Sequence, residues 1–292
     1  MTKLNAWILA ARPKTLSASL VPIVATTGLV SGTGMAVDWG VIVLALLSSF
    51  CIQIGTNLVN DAMDFKKGAD NENRLGPVRV TQQGIFSFRQ VMAAAAFFFF
   101  LAVCLGVPLV VKGGVPILVI GIISVAMGYA YTSGPMPLAY HGLGDLFVII
   151  FFGLVAVGGL YYLLTGKYDV SALILGLQIG FLSTVLIAIN NLRDITTDTA
   201  ANKKTLAVRL GKMGARLWIG FLIFSPYLAG YYWVASQKYW VYIVPTLSFP
   251  LGIMIIKRIF RTEPGAEYNK FLAQSSAYAL IFSVLIAIGF QI

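Results

Sequence analysis

Asn57, Asn60, Asp61 and Asp64 fall at spacing i, i+3, i+4, i+7, which sets four oxygen-bearing side chains on one face of a helix; Gln53 extends the stripe a turn deeper. Further along, Asn190 (or Asn191), Asp194 and Asp198 share a face in the same way. Carboxylates and carboxamide carbonyls are hard donors. They suit Mg²⁺, which keeps some of its waters and takes one or two carboxylates together with phosphate oxygens. Cations follow each cluster: Lys66, Lys67, Arg74 and Arg79 after the first, Lys203 and Lys204 after the second. Bare carboxylates repel a diphosphate. Bound Mg²⁺ turns that repulsion into attraction, and the adjacent lysines and arginines neutralise the remaining charge. The candidate metal ligands are therefore Asn57, Asn60, Asp61, Asp64, Asn190, Asp194 and Asp198, with Lys67, Arg74, Arg79, Lys203 and Lys204 as diphosphate clamps. The competing assignments are solvated loop acids and lipid-headgroup contacts. Asn-x-x-x-Asp occurs twice, as Asn57/Asp61 and Asn190/Asp194, each followed by a Val-Arg step (Arg79, Arg209) and a glycine. Such a weak repeat fits one central site built from two halves.

The elements that must carry these clusters are apolar. Of 292 residues 58% are hydrophobic and only 11% charged, too few charges for a soluble surface of this size. A hydrocarbon core about 30 Å thick takes roughly 20 apolar residues per helix. Runs of that kind fall at 14–35, 40–60, 89–111, 115–132, 144–164, 170–192, 214–236, 240–260 and 271–291. The fold expected is an all-α polytopic membrane protein of about nine transmembrane helices, one integral-membrane domain over 1–292 with no room for a soluble one. The first run, preceded by Arg12-Pro13-Lys14 and lacking a small-residue cleavage site, reads as a retained helix rather than a signal peptide. Cys51 and Cys104 lie within runs and read as small packing residues rather than a disulfide or metal pair.

Nine spans alternate the connections between two sides. One side collects eighteen of the lysines and arginines, the other only Lys112, Lys167 and Lys238. By the positive-inside bias the N-terminus is cytoplasmic and the C-terminus outside. The net charge of +10 is mostly topology, and it gives nucleic-acid binding no support. Both acidic clusters then face the cytoplasm, four spans apart. Seven of the eleven acidic residues (Asp61, Asp64, Asp70, Glu72, Asp145, Asp194, Asp198) gather in the connections after the second, fourth and sixth spans. Acids at such positions default to function, because a charge within the bilayer costs about 2.5–3.5 kcal/mol even on the gentler scales.

Several longer segments resemble the UbiA superfamily of intramembrane aromatic prenyltransferases over essentially the whole chain. They are Arg12-Pro-Lys-Thr-Leu16, Gln53 to Asp61, Asp64 to Asp70, Arg74-Leu-Gly-Pro-Val-Arg79, Tyr131-Thr-Ser-Gly-Pro135, Gly142-Leu-Gly-Asp145, and Asn190 to Asp198 running on to Lys203 through Gly211. Within the family the details are similar to the MenA-type 1,4-dihydroxy-2-naphthoate branch. Relatives acting on 4-hydroxybenzoate or haem usually carry a third aspartate four residues after the second, where this chain has Gly68, with Asp70 two further on. Some relatives also carry a basic residue where Pro135-Met136-Pro137 stands, so a diphosphate contact from that loop is not expected.

The resemblance implies a Mg²⁺-dependent enzyme in which a polyprenyl diphosphate ionises at the metal cluster and alkylates 1,4-dihydroxy-2-naphthoate with loss of CO₂, a step of menaquinone biosynthesis. Its partners are the diphosphate, the aromatic acceptor and membrane lipids; its place is the bacterial inner membrane, site facing the cytoplasm. Tyr131 could steady the cation through its ring face or serve as an interfacial anchor, and Arg12 could pair with the acceptor carboxylate. Phe97–Phe100 read as lipid-facing or packing residues, and the lone His141 as a polar loop residue. The alternatives are a homogentisate, menadione-type or chlorophyll-type acceptor within the family, or an ion-coupled transporter, which would hold its charges at mid-span rather than beside Lys/Arg at one face.

Overall fold

The protein is described by a computed structural model covering residues 2–68, 75–76, 79–135 and 137–292, with all of their side chains but that of Lys14. Every regular element among the described residues is a helix. A short α1 (Lys3–Ala11), opened by the Thr2 hydroxyl, meets α2 (Pro13–Ser31) at Arg12, whose left-handed backbone turns the chain before Pro13 starts the next helix. Apolar periodicity did not mark α1. It is nine residues long, and Trp7 stacks on Phe86 at 4.1 Å, laying the helix over the end of the bundle.

α3 (Trp39–Lys66), capped by the Asp38 side chain, has 28 residues. At 1.5 Å per residue it measures about 42 Å, so its final turns extend beyond a hydrocarbon layer of about 30 Å. α4 (Phe88–Ala130) starts with a reciprocal Ser87/Gln90 cap and runs for 43 residues, interrupted at Gly114 (φ 65°, ψ −153°). A straight rod of that length would measure about 64 Å, twice the bilayer core. The break occupies a conformation open only to glycine, and Pro116 opens the second rod. The apolar runs 89–111 and 115–132 are its two halves.

α5 (Gly144–Val148) continues through a π-helical stretch, Ile149–Val155, into α6 (Ala156–Thr165). A Cβ at Gly153 would collide with the Gly176 carbonyl, so the glycines let this rod lie directly against α7 (Val170–Arg193). Then come α8 (Ile195–Ala200), α9 (Leu206–Ala235), α10 (Tyr239–Ile243), α11 (Phe249–Arg261) and α12 (Tyr268–Gly289). Gly211 (φ 69°) breaks the start of α9, just ahead of the apolar run read at 214–236.

Among the described residues seven helices are long and apolar enough to cross a bilayer, and the bent α1–α2 pair makes an eighth when counted as one span. The chain is an integral membrane protein. Its main core joins α2, α7, α9, α11 and α12, with α7 the most buried of the spans; a second core joins α1, the end of α3 and the start of α4. Cys51 is buried as a packing residue, whereas Cys104 is exposed on the outer face of α4. Phe97 and Phe100 face outward and the Phe99 ring fills the notch between Gly55 and Gly128, which suits lipid-facing and packing roles.

Candidate active site

A cavity of about 690 Å³ is walled by α2, α3, both rods of α4, the α5–α6 rod, α7 and the start of α12. Its depth is apolar (Leu109, Ile117, Ile120, Leu160, Leu163), while Arg12, Asn60, Asp64, Arg79, Asn190 and Lys203 crowd its mouth. Along α4 the stripe Ile117, Ile120, Gly121, Ser124, Gly128 faces inward with helical spacing and ends at Tyr131.

Asp64 is the most connected acid at the mouth. It is buried, accepts hydrogen bonds from the Tyr140 hydroxyl (2.9 Å) and Arg79 Nη2 (3.2 Å), and lies 4.0 Å from Lys203 Nζ. The same ammonium stands 3.8 Å from Asp198 Oδ1. One cation therefore bridges the ends of α3 and α8, bringing together two acids that are 134 positions apart in sequence. Burial pushes the Asp198 carboxyl up to about 7, a shift Lys203 opposes and the neighbouring carboxylates of Asp194 and Asp64 reinforce.

Other members of the predicted set have different employment. Asn60 accepts a 2.6 Å hydrogen bond from the Thr132 hydroxyl and still faces the cavity. Asn57 also borders the cavity, but its amide donates to the Ala11 carbonyl and the Thr15 hydroxyl, holding the α1–α2 hinge to α3. Asp61 takes the backbone N–H groups of Val80 (3.1 Å) and Thr81 (3.0 Å), one on each oxygen, and lies outside the cavity wall. Asp194 is gripped on both oxygens by Arg193, which also holds Asn190. Among the described residues no three carboxylate, histidine or cysteine side chains converge as a metal cluster. A donor set of separate carboxylates and carboxamides at a cationic mouth suits Mg²⁺, which takes few protein ligands and completes its shell with water and phosphate.

Among the predicted clamps, Arg79 and Lys203 line the mouth. Lys67 is outside the lining but donates to the Thr132 carbonyl (2.7 Å) with its ammonium 4.3 Å from the Tyr140 ring centre; partial burial lowers its pKa while Asp64 opposes that shift. Lys204 is exposed and outside the wall, and Arg74, with Asp70 and Glu72, lies outside the described residues. Tyr131 borders the cavity with its ring 5.6 Å from Phe147; its hydroxyl packs against Gly144, where any side chain would intrude. Asp145 is buried within the bundle instead of at the mouth, taking the Trp218 indole N–H at 2.7 Å and the Asn191 amide at 3.4 Å. His141 keeps to a local contact with the Pro137 carbonyl. Spacing alone did not reveal Tyr140, Thr132, Arg193 or Asn269, since each reaches the site from a turn or a helix end without periodic signal.

A sequence profile of the UbiA prenyltransferase family matches residues 19–284. The chain is 34% identical to a 1,4-dihydroxy-2-naphthoate octaprenyltransferase of Haemophilus influenzae, over 99% of this chain and 97% of that one. It is 32% identical to the enzyme of the same description from Escherichia coli, over 99% and 96%. In three dimensions it resembles the apo UbiA homologue of Aeropyrum pernix K1 (TM-score 0.72, 15% identity, 94% and 97% of the two chains). It also resembles the Archaeoglobus fulgidus homologue bound to GPP and Mg²⁺ (TM-score 0.69, 16% identity, 98% and 100%).

Proposed function

The chain belongs to the UbiA prenyltransferase family, and from that premise we propose that its cavity joins a polyprenyl diphosphate to 1,4-dihydroxy-2-naphthoate. The full-length relatives that carry this activity in their names support the acceptor. The observation that carries the site is the position of Lys203 between Asp64 and Asp198 at the polar mouth of an otherwise apolar cavity.

The residues divide the work. Asn60, Asp64 and Asn190, which line the cavity, and Asp198, tied to it through Lys203, would hold Mg²⁺ directly or through water, with Arg79 and Lys203 at the mouth and Lys67 beside it to take diphosphate oxygens. When bound, the metal draws charge from the diphosphate and makes it a better leaving group. The allylic C–O bond breaks with its electrons leaving on the diphosphate, the ring carbon that bears the carboxylate closes the new C–C bond, and that carboxylate departs as CO₂, its bonding electrons returning to the ring. Tyr131, at the junction of mouth and apolar depth, presents its ring to the developing positive charge. The apolar wall excludes water that would otherwise capture the allyl group. Arg12, on the same rim, is placed for the acceptor carboxylate. In this reading Asn57 and Asp61 build the site without touching the metal.

Nine spans follow if each rod of α4 crosses once and α1–α2 counts as one, since a 43-residue helix with a break at Gly114 matches two crossings better than one. The basic residues then put the mouth and the N-terminus in the cytoplasm, the C-terminus outside, and the single domain in a bacterial inner membrane. Incubating the purified protein with Mg²⁺, a prenyl diphosphate and a panel of aromatic acceptors tests the reading. The expected product from dihydroxynaphthoate is prenylated and decarboxylated; prenylation only of another acceptor overturns the substrate, and no prenyl transfer overturns the reaction.

A further inference from the structure

Arg193 is among the largest side chains sealed inside the protein, 1% exposed, and all three of its guanidinium nitrogens donate. Nε and Nη2 fork onto the two oxygens of Asp194 (2.8 and 2.5 Å), Nη2 also reaches Asn190 Oδ1 (2.9 Å), and Nη1 reaches Asn269 Oδ1 (2.7 Å). Asn269 stands in the first turn of α12 and continues the link. Its amide donates to the carbonyls of Leu75 (3.0 Å) and Ala266 (2.9 Å), so both ends of the carboxamide are used and its orientation is fixed. Leu75 belongs to the chain that follows the first acidic cluster and leads to Arg79. A hydrogen-bonded line thus runs from the second cluster, through α12, to Leu75, four positions in sequence before the first cluster's arginine.

We propose that Arg193 and Asn269 are positioning residues that fix the spacing between the two halves of the metal–diphosphate cradle. The proposal rests on reading the mouth as a prenyl-diphosphate site. A planar guanidinium can grip a carboxylate in two places and keep a third direction for a neutral acceptor, which a lysine ammonium cannot do in one plane. With both oxygens on Arg193, Asp194 orients the end of α7, and the same guanidinium holds Asn190 Oδ1 where Asn190 lines the cavity. In a buried network whose members are all satisfied, each bond is stronger for the others and the arrangement is unique. Asn269 makes that arrangement conditional on the docking of α12.

The test uses the full chain in lipid nanodiscs with Mn²⁺ as the metal probe, followed by electron paramagnetic resonance, and a farnesyl thiolodiphosphate as unreactive donor. Asn269→Leu and Arg193→Lys are each expected to weaken Mn²⁺ binding in the presence of the analogue about tenfold, and the double variant to be no weaker than the worse single one. Wild-type Mn²⁺ affinity in the folded single variants, or losses that multiply in the double variant, overturns the proposal. Thermal unfolding of each variant separates this from a general loss of structure, which lowers the melting temperature and the bound fraction but not the affinity of what remains folded. Asn269 is only partly buried, so its variant carries the test should Arg193→Lys not fold. A wild-type protein that binds no Mn²⁺ with the analogue overturns the prenyl-diphosphate reading itself.

Discussion

At the end of α3 the carboxylates are held by groups that arrive from elsewhere: two backbone N–H groups on Asp61, and Arg79 and Tyr140 on Asp64. At the end of α7 the corresponding aspartate, Asp194, is held by its own neighbour, Arg193. The first half therefore exists only once a distant segment has folded onto it, whereas the second carries its main counter-charge within the helix and needs α12 only to lock it. The Val-Arg steps that follow the two clusters diverge too. Arg79 is buried on Asp64, while Arg209 is exposed and donates to the His141 carbonyl. A repeat in sequence has become two kinds of scaffold, and the cavity is where they meet.

Substitutions can break this contrast or sharpen it. The largest effect is expected where the halves meet. Asp64→Ala and Asp198→Ala should each lower turnover by about 10²–10³-fold, the loss typical of removing one group that stabilises developing charge, with the protein still folded. Near-normal product formation by either variant removes that residue from the cradle. Chelation with EDTA should abolish turnover and added Mg²⁺ restore it; activity that persists in chelator contradicts the metal role of both halves.

Next in size is Asp61→Ala, which separates scaffold from ligand. It leaves the buried Val80 and Thr81 N–H groups without their acceptor, at about 1–3 kcal/mol each, so thermal stability should fall along with activity. An Asp61→Ala protein as stable as the wild type would show the carboxylate to be a ligand rather than an anchor. Tyr140→Phe removes one hydrogen bond to a charged partner, and about a tenfold loss in turnover with little change in acceptor KM is expected. The smallest effect belongs to Lys204→Ala. Its side chain is exposed and outside the cavity wall, so kinetics with the diphosphate should stay within about twofold, as for surface charges generally.

Much of the fold was legible because lipid imposes a simple rule: a spanning helix must be long and apolar, so the runs ending near 60 and beginning at 170 announce α3 and α7 without any knowledge of their neighbours. What length and hydropathy could not show was α1, nine residues and too short to span by itself; the break at Gly114, by contrast, was already visible as the gap between the runs 89–111 and 115–132. The candidate site was legible in part for a related reason. Asn57, Asn60, Asp61 and Asp64 do share a helical face, but a face sweeps through a wide arc, and neighbouring elements claimed its positions differently: Asn57 by the hinge, Asp61 by a backbone turn, and Asn60 and Asp64 by the cavity.

The sequence by itself determined that the chain is a membrane bundle, that its oxygen donors and cations collect at one end, and which chemistry that collection suits. These follow from composition and from spacing along single helices, which are local properties. Only the tertiary structure decided which donors face the cavity, that Lys203 would stand between Asp64 and Asp198, and that Arg193 would reach through Asn269 to Leu75. Those are contacts between segments far apart in the chain. Their geometry is set by how helices pack, through the glycine notches and the break in α4, and not by the periodicity of any one of them.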